Sequence, residues 1–403
     1  MNVLYITHDG ITDHIGQSQI APYLLGISKS KVSVSVLSVE KKTNKGLITF
    51  FKPVFSKSKI NWSYFYYSNA LSFFSFFLEV IFLSLRSYKI IKNNNIDTIH
   101  CRCYPAAFVG LILKTFYPRD LKLIFDVRDF WLDTRIETRS IKLPYRFLKL
   151  WERKLYHKSN VFITLTDRAQ QIIKARFKSE VEGKDFYVIP CCADFSLFDE
   201  NKIRQERKVE IKRKLFLSEK NFILGYLGSL GSDYLLEEMV QVFKVLLDLK
   251  KDSIFLFISN NGKDQAIKAF KDAELDLDLL RFISIKRAEV PVYLSLLDLS
   301  IIFIRPSESK AGCSPTKLAE LFAMNVPVVV NKHVGDMDNL ISLNKNCSSL
   351  VSIPVSKEEV TTNLKEIISL KDEYKKIRKN SLNFSLETGI ETYLSMYNNL
   401  SYD

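Results

Sequence analysis

The stretch Ser307–Val330, SESKAGCSPTKLAELFAMNVPVVV, decides the fold. Ser314 before Pro315 reads as a helix start, because serine is a favoured N-cap and proline suits the first helical position. The run Val326–Asn331 that follows reads as a short buried strand, apolar up to Asn331. A helix feeding a strand without polar alternation is one beat of an α/β chain whose sheet is covered on both faces.

The same beat recurs outward in both directions. Toward the N-terminus, Val3–Thr7, Val32–Val39, Asp97–Arg102, Lys122–Val127, Val161–Thr166 and Phe186–Pro190 read as buried strands. Phe222–Gly228, Ile254–Ser259, Arg281–Ile285 and Leu299–Ile304 repeat the pattern in the second half. The helices between them are amphipathic: Leu235, Met239, Val242, Phe243, Leu246 and Leu249 recur at helical spacing, with Glu237, Glu238, Lys244 and Lys250 off the stripe. Two doubly wound α/β domains are expected. The expected boundaries are an N-terminal domain over residues 1–195, a second over 196–380, and a closing apolar, aromatic helix over 381–403.

The chain has 403 residues, 47% hydrophobic and 26% charged, which excludes a disordered or collagen-like chain. Its length exceeds what one core serves. Six cysteines (Cys101, Cys103, Cys191, Cys192, Cys313, Cys347) are too few for a disulfide framework and have no zinc-site spacing, so reduced thiols of a cytosolic protein are expected. The opening MNVLYITHDG has no basic stretch followed by an apolar one, so no secretory leader is expected there. A formal net charge of +13 calls for an anionic partner: nucleic acid, an anionic lipid surface or a phosphorylated small molecule.

Backbone amides at the start of the Ser314 helix point outward at the positive end of its dipole, and such a terminus takes a diphosphate. Lys310 and Lys317 add charge nearby. Glu320, four residues after Thr316, projects on the same side, where a carboxylate can accept both hydroxyls of a ribose. Together these imply a nucleoside diphosphate ligand; the plainer alternative is a capped helix with a surface glutamate. A glycine turn, Gly228-Ser229-Leu230-Gly231, follows a strand of the second half at the end where open α/β sheets bind ligands. It is neither a dinucleotide fingerprint nor a P-loop. Asp13–Ser18, with Gly16 and Gln17, is the matching turn of the first half.

Arg128 and Asp129 close another strand, where an arginine either holds substrate or salt-bridges Asp126 or Asp129. The five histidines show no metal spacing, and Asp276 and Asp278 sit in a helix-like run, so no metal site is expected. The stretch Tyr64–Leu85 is long and aromatic, but Glu79 and its serines weaken a membrane-spanning reading. Lys52, Lys57, Lys59, Arg86, Lys89 and Lys92 bracket it. An amphipathic helix on a bilayer surface fits those flanks better, and a buried domain helix beside an aromatic loop is the alternative.

Four stretches together resemble the bacterial group 1, or family four, nucleotide-sugar glycosyltransferases of two-domain GT-B type. They are DGITDHIGQSQIAPYL (residues 9–24), FDVRDFWLDTR with WERKL after it, VIPCCADFSLF, and the pair GSLGSDYLLEEM and SPTKLAELFAMNVPVVV. The resemblance implies two Rossmann-like domains facing across a cleft, with the nucleotide between them and the last helix crossing back to the first domain. It implies Glu320 on the ribose, the amides from Cys313 through Ser314 and Thr316 to Lys317 on the diphosphate, and Gly16 and Gln17 on its far side. Ser229 and Tyr234 stand where the family commonly has an arginine and a lysine of the glycine turn, and Gly312 where it has the first of two glutamates eight apart. Lys310, Lys317 or Arg128 would supply the missing positive charge, which makes Arg128, Lys310 and Glu320 the catalytic candidates.

The function so implied is a metal-independent, hexosyl-type transfer from a nucleoside-diphosphate sugar to a glycan acceptor, lipid-linked, in surface polysaccharide or lipopolysaccharide synthesis. The resemblance also implies retention of anomeric configuration and a place at the cytoplasmic membrane face, with no cofactor beyond the donor. Two rivals stand beside it. A nucleotide-sugar epimerase occupies the same fold, and a nucleic-acid or anionic-surface binding module would use the charge. No base-reading motif is present and the lysines are dispersed, so nucleic acid is not expected as partner.

Overall fold

A computed structural model describes residues 1–66, 73–138, 143–344 and 347–402. The chain divides into two compact units. Unit 1 holds Met1–Cys191, the short segment Glu308–Cys313 and the helix Leu386–Tyr402; unit 2 holds Cys192–Ser307 and Ser314–Ser385.

Among the described residues, unit 1 is built on β1 (Asn2–Thr7), β2 (Ser33–Glu40), β3 (Asn61–Tyr66), β4 (Thr98–Arg102), β5 (Lys122–Val127), β6 (Val161–Thr164) and β7 (Asp185–Val188). They lie in the order β3-β2-β1-β4-β5-β6-β7, and every pairing is parallel. Unit 2 is built on β8 (Phe222–Leu227), β9 (Ser253–Ile258), β10 (Leu280–Ile283), β11 (Leu299–Ile302), β12 (Val328–Asn331) and β13 (Ser348–Val351), in the order β10-β9-β8-β11-β12-β13. This is the doubly wound strand order, with switch points between β1 and β4 and between β8 and β11. Central strands such as TIHCR of β4 and FILGYL of β8 are buried at every residue, as helices on both faces require.

The closing helix Leu386–Tyr402 buries Tyr393, Met396, Tyr397 and Leu400, at the three- and four-residue spacing of one helix face. Two tyrosine hydroxyls end that face in the charged ends of the unit 1 strands. Tyr397 Oη lies 2.6 Å from His100 Nδ1, and Tyr393 Oη donates to Asp126 Oδ2 at 3.2 Å.

Several expectations are corrected. The aromatic stretch beginning at Tyr64 is not one helix: Tyr64–Tyr66 end β3, and the helix that follows is Phe73–Asn94. Residues 67–72 of that stretch lie outside the described ones. The run at Asp276 and Asp278 is not an α-helix but a short 3-10 helix, Leu277–Leu279; the Asp276 carboxylate caps it by accepting the Asp278 N–H, and both side chains are exposed. Among the described residues, no helix is long and apolar enough to cross a membrane.

Candidate functional site

The carboxyl ends of β8 and β11 in unit 2 carry a built site. Gly228 leaves β8 with φ +113°, a backbone conformation that a side chain strains, and a Cβ there would lie 2.8 Å from Lys317 Nζ. The turn beyond it is pinned from two sides. Asn261 accepts from Leu230 N–H at 3.0 Å and donates to Leu230 O at 3.0 Å, while Tyr226 Oη donates to Ser229 O at 2.8 Å. Ser229 itself is exposed.

Lys317 is held on this turn rather than left to swing. Its ammonium donates to Tyr226 Oη at 3.1 Å and lies over the Tyr226 and Tyr234 rings, 4.3 and 4.1 Å from their centroids. An aromatic pair of this kind stabilises a cation in place while the residue is buried to 8% exposure. The helix Thr316–Ala323 starts beside it. The expected cap is corrected by one residue: Pro315, at φ −71° and ψ 120°, is the extended N-cap residue, Thr316 is the first helical residue, and no side chain caps the terminus. The first-turn amides therefore depend on other partners, which keeps the terminus suited to an anion.

Glu320 is not the surface glutamate of the plainer alternative. It is 4% exposed, and Arg287 Nη1 donates to its Oε1 at 2.8 Å. Burial pushes the Glu320 carboxyl up from its ordinary value, against the pull of Arg287 and Lys317. Arg287, from a 3-10 turn 33 residues upstream, keeps 30% of its side chain exposed. Sequence reading did not find it, nor Tyr226 or Asn261, since no local spacing links any of them to the Ser314 helix.

In unit 1 the ends of β1, β4 and β5 gather charge. Asp126, fully buried, accepts from Arg128 Nη2 at 2.7 Å, with Arg128 Nε 2.7 Å from its other oxygen. His100 and Arg102 stand 3.5 and 3.8 Å from it, and Arg128 also donates to Tyr393 Oη. The guanidinium of Arg128 holds the Asp126 carboxyl well below the usual range despite burial, and burial lowers His100. Arg128, 7% exposed, thus makes the ion pair with Asp126 that stood as the alternative to a substrate role, and it ties strand ends to the last helix.

Asp129 is half-buried at the same edge. Burial, with Asp9 second, pushes its carboxyl up to about 6, and Lys310, Arg135 and Arg102 pull the other way. Gly312 packs here: a Cβ on it would stand 3.5 Å from Asp129 Cα. Its segment is anchored by Thr166 Oγ1 donating to Ala311 O at 2.8 Å and Ser309 Oγ donating to Glu137 at 3.0 Å. Gly312, Cys313 and Lys310 belong to unit 1, whereas Ser229, Ser314, Thr316, Lys317 and Glu320 belong to unit 2. Gly16 has a packing reason of its own, since a Cβ would stand 1.9 Å from Gly10 O. Gln17 donates to Thr12 O at 2.8 Å.

The description "Glycosyltransferase Family 4" matches residues 47–197, and "Glycosyl transferases group 1" matches residues 207–384. No curated protein sequence matches significantly. Among solved structures, a glycosyltransferase from Rickettsia africae is 15% identical, with TM-score 0.70, covering 99% of this chain and 98% of that one. Anabaena Alr3699/HepE, in complex with UDP and glucose, is 15% identical with TM-score 0.69, covering 99% and 100%. WaaG, a glycosyltransferase involved in lipopolysaccharide biosynthesis, is 11% identical with TM-score 0.62, covering 98% and 99%.

Proposed function

Because the chain belongs to the family-four, group 1 glycosyltransferases of GT-B type, we propose that it moves a hexosyl group from a nucleoside-diphosphate sugar to a lipid-linked glycan acceptor, with retention and without a metal. The observation that carries the donor half is the cation of Lys317, fixed on Tyr226 and Tyr234 within the Gly228 turn, beside the N-terminus of the helix Thr316–Ala323. A departing diphosphate gathers negative charge as the glycosidic bond breaks. A preorganised ammonium and helix-terminal amides stabilise that charge without reorganising. Glu320, oriented by Arg287, is the ribose-binding carboxylate of this reading, and Ser229 lines the same turn. In unit 1, Asp129, whose carboxyl burial pushes up to about 6, is the group for an acceptor hydroxyl.

The neighbour crystallised with UDP and glucose supports a uridine diphosphate sugar as first donor to try, and the lipopolysaccharide enzyme supports a surface-glycan acceptor. The reading places the chain on the cytoplasmic membrane face through the helix Phe73–Asn94. The test is incubation with UDP-hexoses, with and without lipid-linked acceptors, following nucleotide release and the anomeric proton of the product. Acceptor-dependent UDP release with the donor's configuration kept is expected. Donor isomerised without acceptor would make the chain an epimerase and overturn the proposal.

A further inference from the structure

Unit 1 carries an apolar cavity of about 350 Å³ among the helices Phe73–Asn94, Cys103–Phe116 and Leu143–Lys158. Phe77, Ile81, Phe108, Ile112, Phe147 and Trp151 line it, and Lys154 stands at its rim, 5.2 Å from the centroid of the Trp151 ring. Its size lies at the lower end of small-molecule sites. Phe116 also lines it, and on the same three helices Leu78, Phe82, Leu85, Phe116, Leu143 and Leu150 are each more than half exposed. An apolar surface of that extent marks an interaction site.

The charges decide which interaction. The helix Phe73–Asn94 has one carboxylate, Glu79, and it is buried, 3.0 Å from His8. The helix Leu143–Lys158 also has one, Glu152, buried and bonded to Tyr104 Oη at 2.7 Å and to Lys149 at 2.8 Å. Every exposed formal charge on the two helices is positive: Arg86, Lys89, Lys92, Arg146, Arg153 and Lys154. Arg153 is paired with Glu180 at 2.5 Å, and the other five leave the two helices with a cationic excess. Apolar side chains flanked by such an excess complement an anionic bilayer, whose headgroups meet the charges while its hydrocarbon meets the rings.

We infer that this face docks on an anionic phospholipid bilayer and that the cavity seats one acyl chain of such a lipid. The inference deepens the reading of the chain as a membrane-face transferase, and rests on it for the purpose of docking. It adds a second docking helix, Leu143–Lys158, and a lipid site to the helix Phe73–Asn94. A seated chain would hold unit 1 at one depth and orientation on the membrane.

Trp151 reports directly on occupancy, and the chain's other two tryptophans, Trp62 and Trp131, are subtracted with Trp151→Phe. The protein is mixed with phosphatidylglycerol vesicles carrying bromine on their acyl chains, with unbrominated ones, and with neutral phosphatidylcholine. Expected are a loss of Trp151 emission with the brominated anionic vesicles only, and vesicle affinity about ten-fold or more lower in Ile81→Asp/Phe147→Asp, two sites about half exposed. Vesicle binding without Trp151 quenching, or equal binding to neutral vesicles, would overturn the inference. A dimer in sedimentation that the same substitutions dissociate would assign the face to a second copy and overturn it too. UDP binding is measured in parallel. Lost docking with intact UDP binding defeats this inference alone, and intact docking without UDP binding defeats the donor reading alone.

Discussion

Glu320 shows how burial changes what a side chain does on mutation. An exposed ribose ligand could be removed at little cost to the fold, but this carboxylate is 4% exposed and bonded to Arg287. Arg287 can turn its exposed end to water, so Glu320→Ala is expected to cost about 1–3 kcal/mol in urea unfolding, along with about a ten-fold loss of UDP-sugar affinity. Glu320→Gln, which keeps shape and an acceptor, should restore most of the stability and less of the binding; equal recovery of both would make the residue structural only. Asp129 gives a pH signature. Its native carboxyl is raised from 3.8 to about 6, so the native state holds the proton more tightly than the unfolded chain. That contribution is fully present below 3.8 and lost as pH rises through 6. Asp129→Asn should therefore stabilise the protein by about 1–2 kcal/mol at pH 7 and by almost nothing at pH 4. Thermal melts at the two pH values measure the difference; a gain of the same size at both would rule this origin out.

At the scale of elements, Gly228 joins strand, turn and helix. Its φ of +113° and the 2.8 Å approach of Lys317 Nζ leave no room for a methyl group. Gly228→Ala is expected to push the ammonium off its tyrosine pair and lower UDP affinity about ten-fold, with a stability loss of about 1 kcal/mol or more. Calorimetry and melting read the two effects, and unchanged affinity would detach the turn from the site. The ion pair of β5 behaves oppositely. Arg128→Ala leaves Asp126 fully buried with weaker partners, so a loss of about 3–5 kcal/mol in urea unfolding is expected, with UDP affinity in the folded fraction unchanged. Weakened UDP binding without a stability loss would return Arg128 to the donor site.

The central strands were readable in the sequence because burial on both faces forces unbroken apolar runs, as in FILGYL of β8. Both missed strands are sheet edges. NWSYFY of β3 is only half-buried and runs into the aromatic stretch, and SSLV of β13 is half serine. The helix start was off by one residue because Pro315 takes an extended conformation, although its ring suits a first turn equally well. The Gly228 turn and the helix after Ser314 could be read from local pattern, whereas Asp13–Ser18, read as a turn, is the start of the helix His14–Gln19. The partners that give them chemistry could not, because Arg287 and Tyr226 lie 33 and 91 residues from Glu320 and Lys317.

For the whole molecule, each unit concentrates its chemistry at strand ends. Unit 1 joins a buried ionic knot, a raised carboxyl and a cationic apolar face; unit 2 holds a caged ammonium beside a helix start. The account depends on that ammonium serving a diphosphate rather than merely filling its aromatic niche. Titration of UDP into the intact protein and into Lys317→Met, followed by calorimetry, tests this most directly. Methionine keeps the apolar stem and removes the charge. One charged hydrogen bond is worth about 1.5–3 kcal/mol, so UDP affinity should fall about ten- to a hundred-fold while the melting temperature stays within a few degrees. Equal UDP affinity in the two proteins, both folded, would contradict the account.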